Sequence, residues 1–160
     1  MRGPSDRGGH PDTGDILGFE QAWEKDGIRN TARFAKGGVK TVSVLGDPKG
    51  ATRMVVFEGG LDALALAELE ARGDTLYVST GGGFGQRTKR GLKTLADGRQ
   101  IFSGFDNEPA GEALHAQLSC LLPAIERHAP PARIVGATRP CKDWLDALNA
   151  MAERGIVEPE

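Results

Sequence analysis

Long apolar runs are absent. No stretch approaches the ~20 residues needed to cross a bilayer, and the amino-terminal Met1-Arg-Gly-Pro-Ser-Asp-Arg-Gly-Gly-His-Pro lacks the apolar core of a signal peptide. A cytoplasmic protein without a membrane partner is the resulting expectation. Cysteine is scarce, with only Cys120 and Cys141. Neither belongs to a CxxC pair or has a histidine at ligand spacing, which argues against a structural zinc site; nothing indicates the oxidising compartment a disulfide needs. Histidine is equally sparse, and His10, His115 and His128 share no motif and carry no assigned role. A strong excess of one charge is also missing, since the net charge is −2. The layout is nevertheless uneven. Seven bases (Lys25, Arg29, Arg33, Lys36, Lys40, Lys49, Arg53) face Asp26 and Asp47 in one region, and five (Arg87, Lys89, Arg90, Lys93, Arg99) face Asp97 alone in another. A polyanionic partner is therefore compatible with the neutral total.

What is present is ordinary in bulk: 160 residues, 39% apolar and 26% charged, enough for one domain with a proper core. Residues 1–14 are rich in glycine, proline and aspartate and read as a flexible lead-in. Residues 15–51 read as a small basic antiparallel β element, with strands at 16–20, 33–34 and 40–45 broken by the turn signals Asp26-Gly27 and Gly37-Gly38. The regular part runs from 52 to 155 and alternates strands with helices. Strands are expected at 54–57, 76–79, 101–105 and 132–135. Helices are expected at 61–72 with Leu61, Leu64, Ala65 and Leu69 on one face and Gly73 at the stop, at 86–96, from 110 with a kink or break at Pro123, and up to 154. Four strands alternating with helices predict a four-stranded parallel, Rossmann-like α/β sheet covered on both faces, whose right-handed crossovers bring the loops after all strands to one edge.

That edge collects the acids. Met54-Val-Val-Phe-Glu58-Gly-Gly-Leu-Asp62 and Ile101-Phe-Ser-Gly-Phe-Asp106-Asn-Glu108 each end a hydrophobic strand in carboxylates, and Asp143 follows the expected fourth strand. Carboxyl ends of parallel strands are where α/β sheets bind ligands. Mg²⁺ prefers oxygen donors and is held by one or two carboxylates plus substrate phosphates. In Asp106-Asn-Glu108 two carboxylates can turn to one ion while Asn107 supports the backbone, and Glu58 can complete the site or act as general acid or base. A single acid at a helix start is more economically explained by the macrodipole; three acids at neighbouring strand ends outweigh that explanation. Thr80-Gly81-Gly82-Gly83 lies in the same set of loops, where backbone amides can meet phosphate oxygens or serve chain geometry alone. The helix carrying Arg87, Lys89, Arg90 and Lys93 suits either a nucleic-acid backbone or solvent. Trp144 and Leu148, one turn apart, read as core residues rather than a base-stacking platform.

Val55-Val-Phe-Glu58-Gly-Gly-Leu-Asp62-Ala-Leu, Phe105-Asp106-Asn-Glu108-Pro-Ala-Gly111 and Lys142-Asp143-Trp144 together resemble the Toprim domain, over roughly residues 52–150. That module is shared by bacterial replicative primases, type IA and type II topoisomerases, recombination-repair proteins and OLD-type nucleases. Phe34-Ala-Lys-Gly-Gly, Asp62-Ala-Leu-Ala-Leu-Ala and Tyr77-Val-Ser-Thr-Gly-Gly-Gly are most similar to the Toprim-like domains of plasmid mobilisation and relaxase-associated primase proteins. The resemblance implies Glu58 as general acid or base approaching the metal, and Asp106 as a ligand of Mg²⁺ or Mn²⁺. Glu108 stands where the family usually has a second aspartate. Asp62 and Asp143 match further acids, each a ligand or a helix-terminal residue. Thr80, Gly81, Gly82, Arg87, Lys89, Arg90, Lys93 and Lys142 are the expected phosphate or nucleic-acid contacts.

These resemblances predict an Mg²⁺-dependent nucleic-acid-processing domain of a primase or mobilisation protein, performing nucleotidyl transfer or strand cleavage on DNA or RNA, with single-stranded or nicked DNA the expected partner. A non-catalytic binding module and an OLD-type nuclease are the alternatives. Tyr77, the only tyrosine, lies inside an expected strand, which argues against a topoisomerase-type nucleophile. Neither a zinc module nor a helicase contact is visible, so further domains of a larger protein are expected.

Overall fold

The computed structural model describes residues 36–135, 137 and 139–155, with the backbone of five short strands nearer the amino terminus. In chain order the strands are β1 (Asp6–Gly9), β2 (Ile16–Gln21), β3 (Glu24–Lys25), β4 (Ile28–Arg29), β5 (Arg33–Phe34), β6 (Ser43–Leu45), β7 (Arg53–Phe57), β8 (Thr75–Ser79), β9 (Gln100–Ser103) and β10 (Ile125–Arg127). The helices are α1 (Gly60–Glu70), α2 (Gln86–Ala96), α3 (Pro109–Leu121) and α4 (Trp144–Gly155).

β10, β9, β7 and β8 are mutually parallel, in that order. β6 then joins β8 antiparallel, and β1, β2 and β5 extend the same sheet. The four-stranded parallel sheet and its antiparallel companion are thus both found, merged into one sheet. Asp6–Gly9, within the glycine-rich lead-in, is a strand paired with β2 and β6. β3 and β4 form a separate pair. The Asp26-Gly27 turn lies outside the described residues, whereas Gly37 takes the left-handed φ of +84° expected of a turn glycine.

β7 and β8 are buried along their whole length, and their apolar stretches 54–57 and 76–78 run unbroken rather than alternating. Their side chains still alternate between two cores. Met54, Val56, Leu76 and Val78 pack with Leu92 and Leu95 of α2 and Leu118 of α3. Val55, Phe57 and Tyr77 pack with Ala63, Ala65 and Leu66 of α1 and Trp144 and Ala147 of α4. Trp144 is buried and donates its Nε1–H to the Gly104 carbonyl at 3.1 Å, consistent with its reading as core. Glu70, at the end of α1, accepts from both Arg53 nitrogens (2.6 and 3.1 Å) and from the Tyr77 hydroxyl, and lies 3.0 Å from His128 Nε2. Burial pushes this carboxyl up, but the bond and charge of Arg53 with the Tyr77 and His128 contacts outweigh it and hold Glu70 below the usual range.

Three local expectations need correction. The fourth parallel strand is Ile125–Arg127, not 132–135. α3 ends at Leu121 with Leu122 as its C-cap, Pro123 bars its continuation and the chain returns beside β9, whereas Pro130-Pro131 remove two ladder donors ahead of 132–135 and Val135 is 80% exposed. The buried face of α1 carries Ala63, Ala65 and Leu66 while Leu64 is exposed, because a helix apolar almost all round does not mark its inner face by spacing. α1 ends in a left-handed Ala71 (φ 49°), two residues before Gly73, its N–H donating to the Ala67 carbonyl.

Candidate metal centre

Every parallel strand delivers its last residues to the same edge. Glu58 follows β7 directly, and its carbonyl accepts from the Gly82 N–H at 3.1 Å and the Ser79 hydroxyl at 3.2 Å, which ties the loops after β7 and β8 together. The Glu58 side chain is exposed, its Oε1 3.9 Å from where a Cβ on Gly82 would lie. Gly81, Gly82 and Gly83 hold φ of +61°, +87° and +150° in succession, a backbone path open to glycine and strained for other residues. Lys40 lies across this loop: a Cβ on Gly81 would sit 3.3 Å from its Cε, and one on Gly82 3.6 Å from its Nζ. Thr80 is fully buried, and its hydroxyl is the one buried side-chain polar atom among the described residues with no hydrogen-bond partner. α2 starts at Gln86, and its N-cap Gly85 offers no side-chain cap to the first-turn amides.

The loop after β9 is held from behind. Asn107 donates its N–H to the Lys142 carbonyl (2.8 Å) and its side-chain amide to the Pro130 carbonyl (2.7 Å), the supporting role expected of it. Arg127 donates to the carbonyls of Ser103 and Asp106 at 3.1 and 2.9 Å. Gly111 is required by packing, since a Cβ there would meet the Asp106 carbonyl oxygen at 2.1 Å. Glu108 occupies the N-cap position of α3 without a side-chain capping bond, and stays exposed.

The two remaining acids have structural bonds. Asp62 Oδ1 accepts the Trp144 and Leu145 amides at 3.1 and 3.3 Å, so a residue of α1 caps the start of α4. Asp143 Oδ1 accepts the Asp146 amide at 2.7 Å, an N-cap bond within α4's own first turn. Both carboxylates still contribute charge to the edge. Burial first, and then the charges of Asp62, Asp143, Glu58 and Glu108, push Asp106 up to about 7. Asp106 thus stands within the electrostatic reach of the four other acids. No group of three histidine, cysteine or acidic side chains among the described residues forms a ready-made ligand shell. Oxygen donors on separate loops around one half-buried carboxyl nonetheless suit Mg²⁺ or Mn²⁺, which keep waters and need few protein ligands.

Arg87, Lys89, Arg90 and Lys93 are exposed along α2, and Lys142 is exposed beside Asp143. Sequence reasoning missed Lys40 as a site residue. Its signal was its position ahead of β6, whose antiparallel pairing to β8 carries it to the glycine loop.

Fold and site together define a Rossmann-like α/β domain with an acidic strand-end centre and a glycine loop beside it. The Toprim-like family profile matches residues 55–148, and the chain belongs to that family. Among solved structures it is similar to the primase fragment of the bacteriophage T7 primase-helicase protein, with 25% identity and a TM-score of 0.64 over 96% of this chain and 60% of that one. A chain of the complex of bacteriophage T7 lagging-strand DNA polymerase with primase domains of two gp4 subunits, bound to an RNA/DNA hybrid and dTTP, matches at 24% identity, TM-score 0.57, over 96% of this chain and 74% of the other. The RNA polymerase domain of the Mycobacterium tuberculosis primase DnaG matches at 21% identity, TM-score 0.54, over 90% of this chain and 51% of that one. The chain thus spans 60% of the length of the T7 primase fragment. No curated protein matches it.

Proposed function

We propose that this domain is the nucleic-acid-processing centre of a primase-type protein, adding nucleotides on a single-stranded template with Mg²⁺ or Mn²⁺. The observation that carries this reading is the placement of half-buried Asp106 in the loop after β9, with Glu108 two residues on and Glu58 at the end of the neighbouring parallel β7, an arrangement in which burial and the nearby carboxylates push Asp106 up to about 7. A site that resists its own ionisation is one that a divalent cation would relieve. Asp106 and Glu108 are the ligands of this reading, and the ion would supply charge stabilisation at the transferring phosphoryl group. Glu58, exposed at the end of β7, takes or gives the proton of the reacting hydroxyl. Asp62 and Asp143 position α4 and add negative charge.

Phosphate contact falls to the Lys40 ammonium and the uncapped first turn of α2 beside the glycine loop, since the Gly81 and Gly82 amides are already given to the Ser79 hydroxyl and the Glu58 carbonyl and Thr80 is fully buried. The exposed bases Arg87, Lys89, Arg90, Lys93 and Lys142 contact the nucleic-acid backbone. Similarity to the T7 primase fragment across 96% of this chain supports nucleotidyl transfer, and the unmatched remainder of that fragment supports a setting among further domains of a primase or mobilisation protein.

The test is nucleotide incorporation on a single-stranded template with Mn²⁺, alongside binding. Glu58→Gln is expected to lower turnover by about 10²-fold or more while leaving affinity unchanged. Metal-dependent nicking of plasmid without nucleotides would instead indicate an OLD-type nuclease. A second reading, a binding module without turnover, is favoured by the capping bonds that occupy Asp62 and Asp143. It predicts template binding with no incorporation and no effect of Glu58→Gln.

A further inference from the structure

α2 and α3 lie on the same face of the sheet, where their buried leucines share one core, and a groove of about 360 Å³ opens between them. Phe84, Lys89, Ala116, Gln117, Cys120 and Leu121 line it, with no carboxylate among them. Phe84 stands at the head of α2, just past the glycine loop. Its half-buried ring meets Phe105 edge-on, centroids 6.3 Å apart at 75°. Phe105 is the residue before Asp106, so the groove's aromatic end adjoins the acidic centre. Helical spacing divides the bases of α2. With Thr88, Leu92 and Leu95 facing the core, Lys89 and Lys93 share the flank toward α3, and Arg87 and Arg90 lie on the opposite flank.

We infer that this groove is the track of a single strand of nucleic acid, with one base stacked on Phe84 and backbone phosphates on Lys89 and Lys93. The inference rests on the nucleic-acid reading of the domain and adds to it the path of the strand. Aromatic surface interleaved with lysine is the pattern that binds single strands without sequence preference. Charge complementarity selects a polyanion over an apolar peptide: Lys89 lines the groove, Lys93 follows one turn on, and neither forms an ion pair among the described residues. The volume is at the small end for ligand clefts, suiting a base and not a duplex.

Cys120 makes the groove directly observable. It is an exposed free thiol on the groove wall, whereas Cys141 is buried. The rate at which a thiol reagent modifies Cys120 is measured in the intact chain with and without a short oligothymidylate, and affinity is measured in parallel. Saturating oligonucleotide is expected to slow Cys120 modification about fivefold or more, and a blunt duplex to leave it unchanged. Phe84→Leu, which keeps apolar volume and removes the ring, is expected to weaken binding about 5-fold or more. Lys89→Ala should lower the salt dependence of binding by about one ion, and Arg87→Ala should have the smaller effect on affinity. An unreactive Cys141 certifies that each variant is folded. Tight oligonucleotide binding with Cys120 unprotected, or with affinity indifferent to Phe84→Leu, overturns the groove assignment and leaves the nucleic-acid reading standing. Failure of the wild-type chain to bind any single strand removes both.

Discussion

Replacing Asp106 by asparagine should stabilise the metal-free domain at alkaline pH while removing most of its pH dependence. The carboxyl is moved from an ordinary value of 3.8 to about 7 by burial and then by Asp62, Asp143, Glu58 and Glu108. Because the folded chain holds this proton more tightly than the unfolded chain, the stabilisation is complete below the unfolded value and is lost as pH rises through about 7. A tenfold change in proton affinity is worth about 1.4 kcal/mol, which sets a ceiling of about 4 kcal/mol for the full shift. Asp106 is only half-buried, and solvent screening reduces the effect to about 1–2 kcal/mol. In a chain of this size that corresponds to a fall in Tm of about 3–8 °C between about pH 5 and about pH 8.5. Asparagine keeps the shape and never ionises, and the Asp106 side chain makes no hydrogen bond among the described residues that it would break. Thermal unfolding followed by circular dichroism in chelator, at matched ionic strength, measures both slopes. A flatter profile for Asp106→Asn, with the variant more stable than wild type at high pH, is expected, and Mg²⁺ should flatten the wild-type profile in the same way. Parallel slopes, or a variant less stable at high pH, would refute the convergence of the five acids.

Gly111→Ala places a Cβ against the Asp106 backbone and should cost about 1–3 kcal/mol, read as a lower denaturant midpoint. Because the collision is with the strand-end loop itself, Mn²⁺ affinity should fall with it. Asp62→Ala removes the acceptor of the Trp144 and Leu145 amides and should destabilise by about 1 kcal/mol, with the loss of amide-exchange protection centred on the first turn of α4. If Asp62 were chiefly a ligand, the same substitution would weaken Mn²⁺ binding and leave α4 protected.

The parallel sheet and its acidic edge were legible because each regular element carries its own signal. β7 and β8 carry the unbroken apolar runs 54–57 and 76–78, and α2 has a clean 3.6-residue core stripe that gives its bounds, 86–96, directly. β10 was not legible. Ile125-Glu-Arg127 is a three-residue edge strand with only partial burial, too short for any period to register, and its identity comes from pairing with β9. The acids illustrate the same limit. Their place at strand ends follows from local pattern, but that Asp62 reaches across to α4 and Asp143 closes its own helical turn depends on contacts 82 residues apart in one case and three in the other. Lys40 escaped for the same reason: it reaches the site only through the β6–β8 pairing, a long-range antiparallel register that composition does not encode.

That pairing also decides what can be cut away. A fragment beginning at Thr52, where composition changes from basic to regular, would strip β6 from β8 and leave Thr75–Ser79 with a bare row of amides and carbonyls. Such an edge recruits the nearest extended chain. The same cut would remove Val42, which packs against Gly91 of α2, and with it the lysine that bridges the glycine loop. The short strand before the family's core region therefore acts as its selvedge: it keeps the sheet from fraying into its neighbours and delivers a cation to the working edge in one stitch.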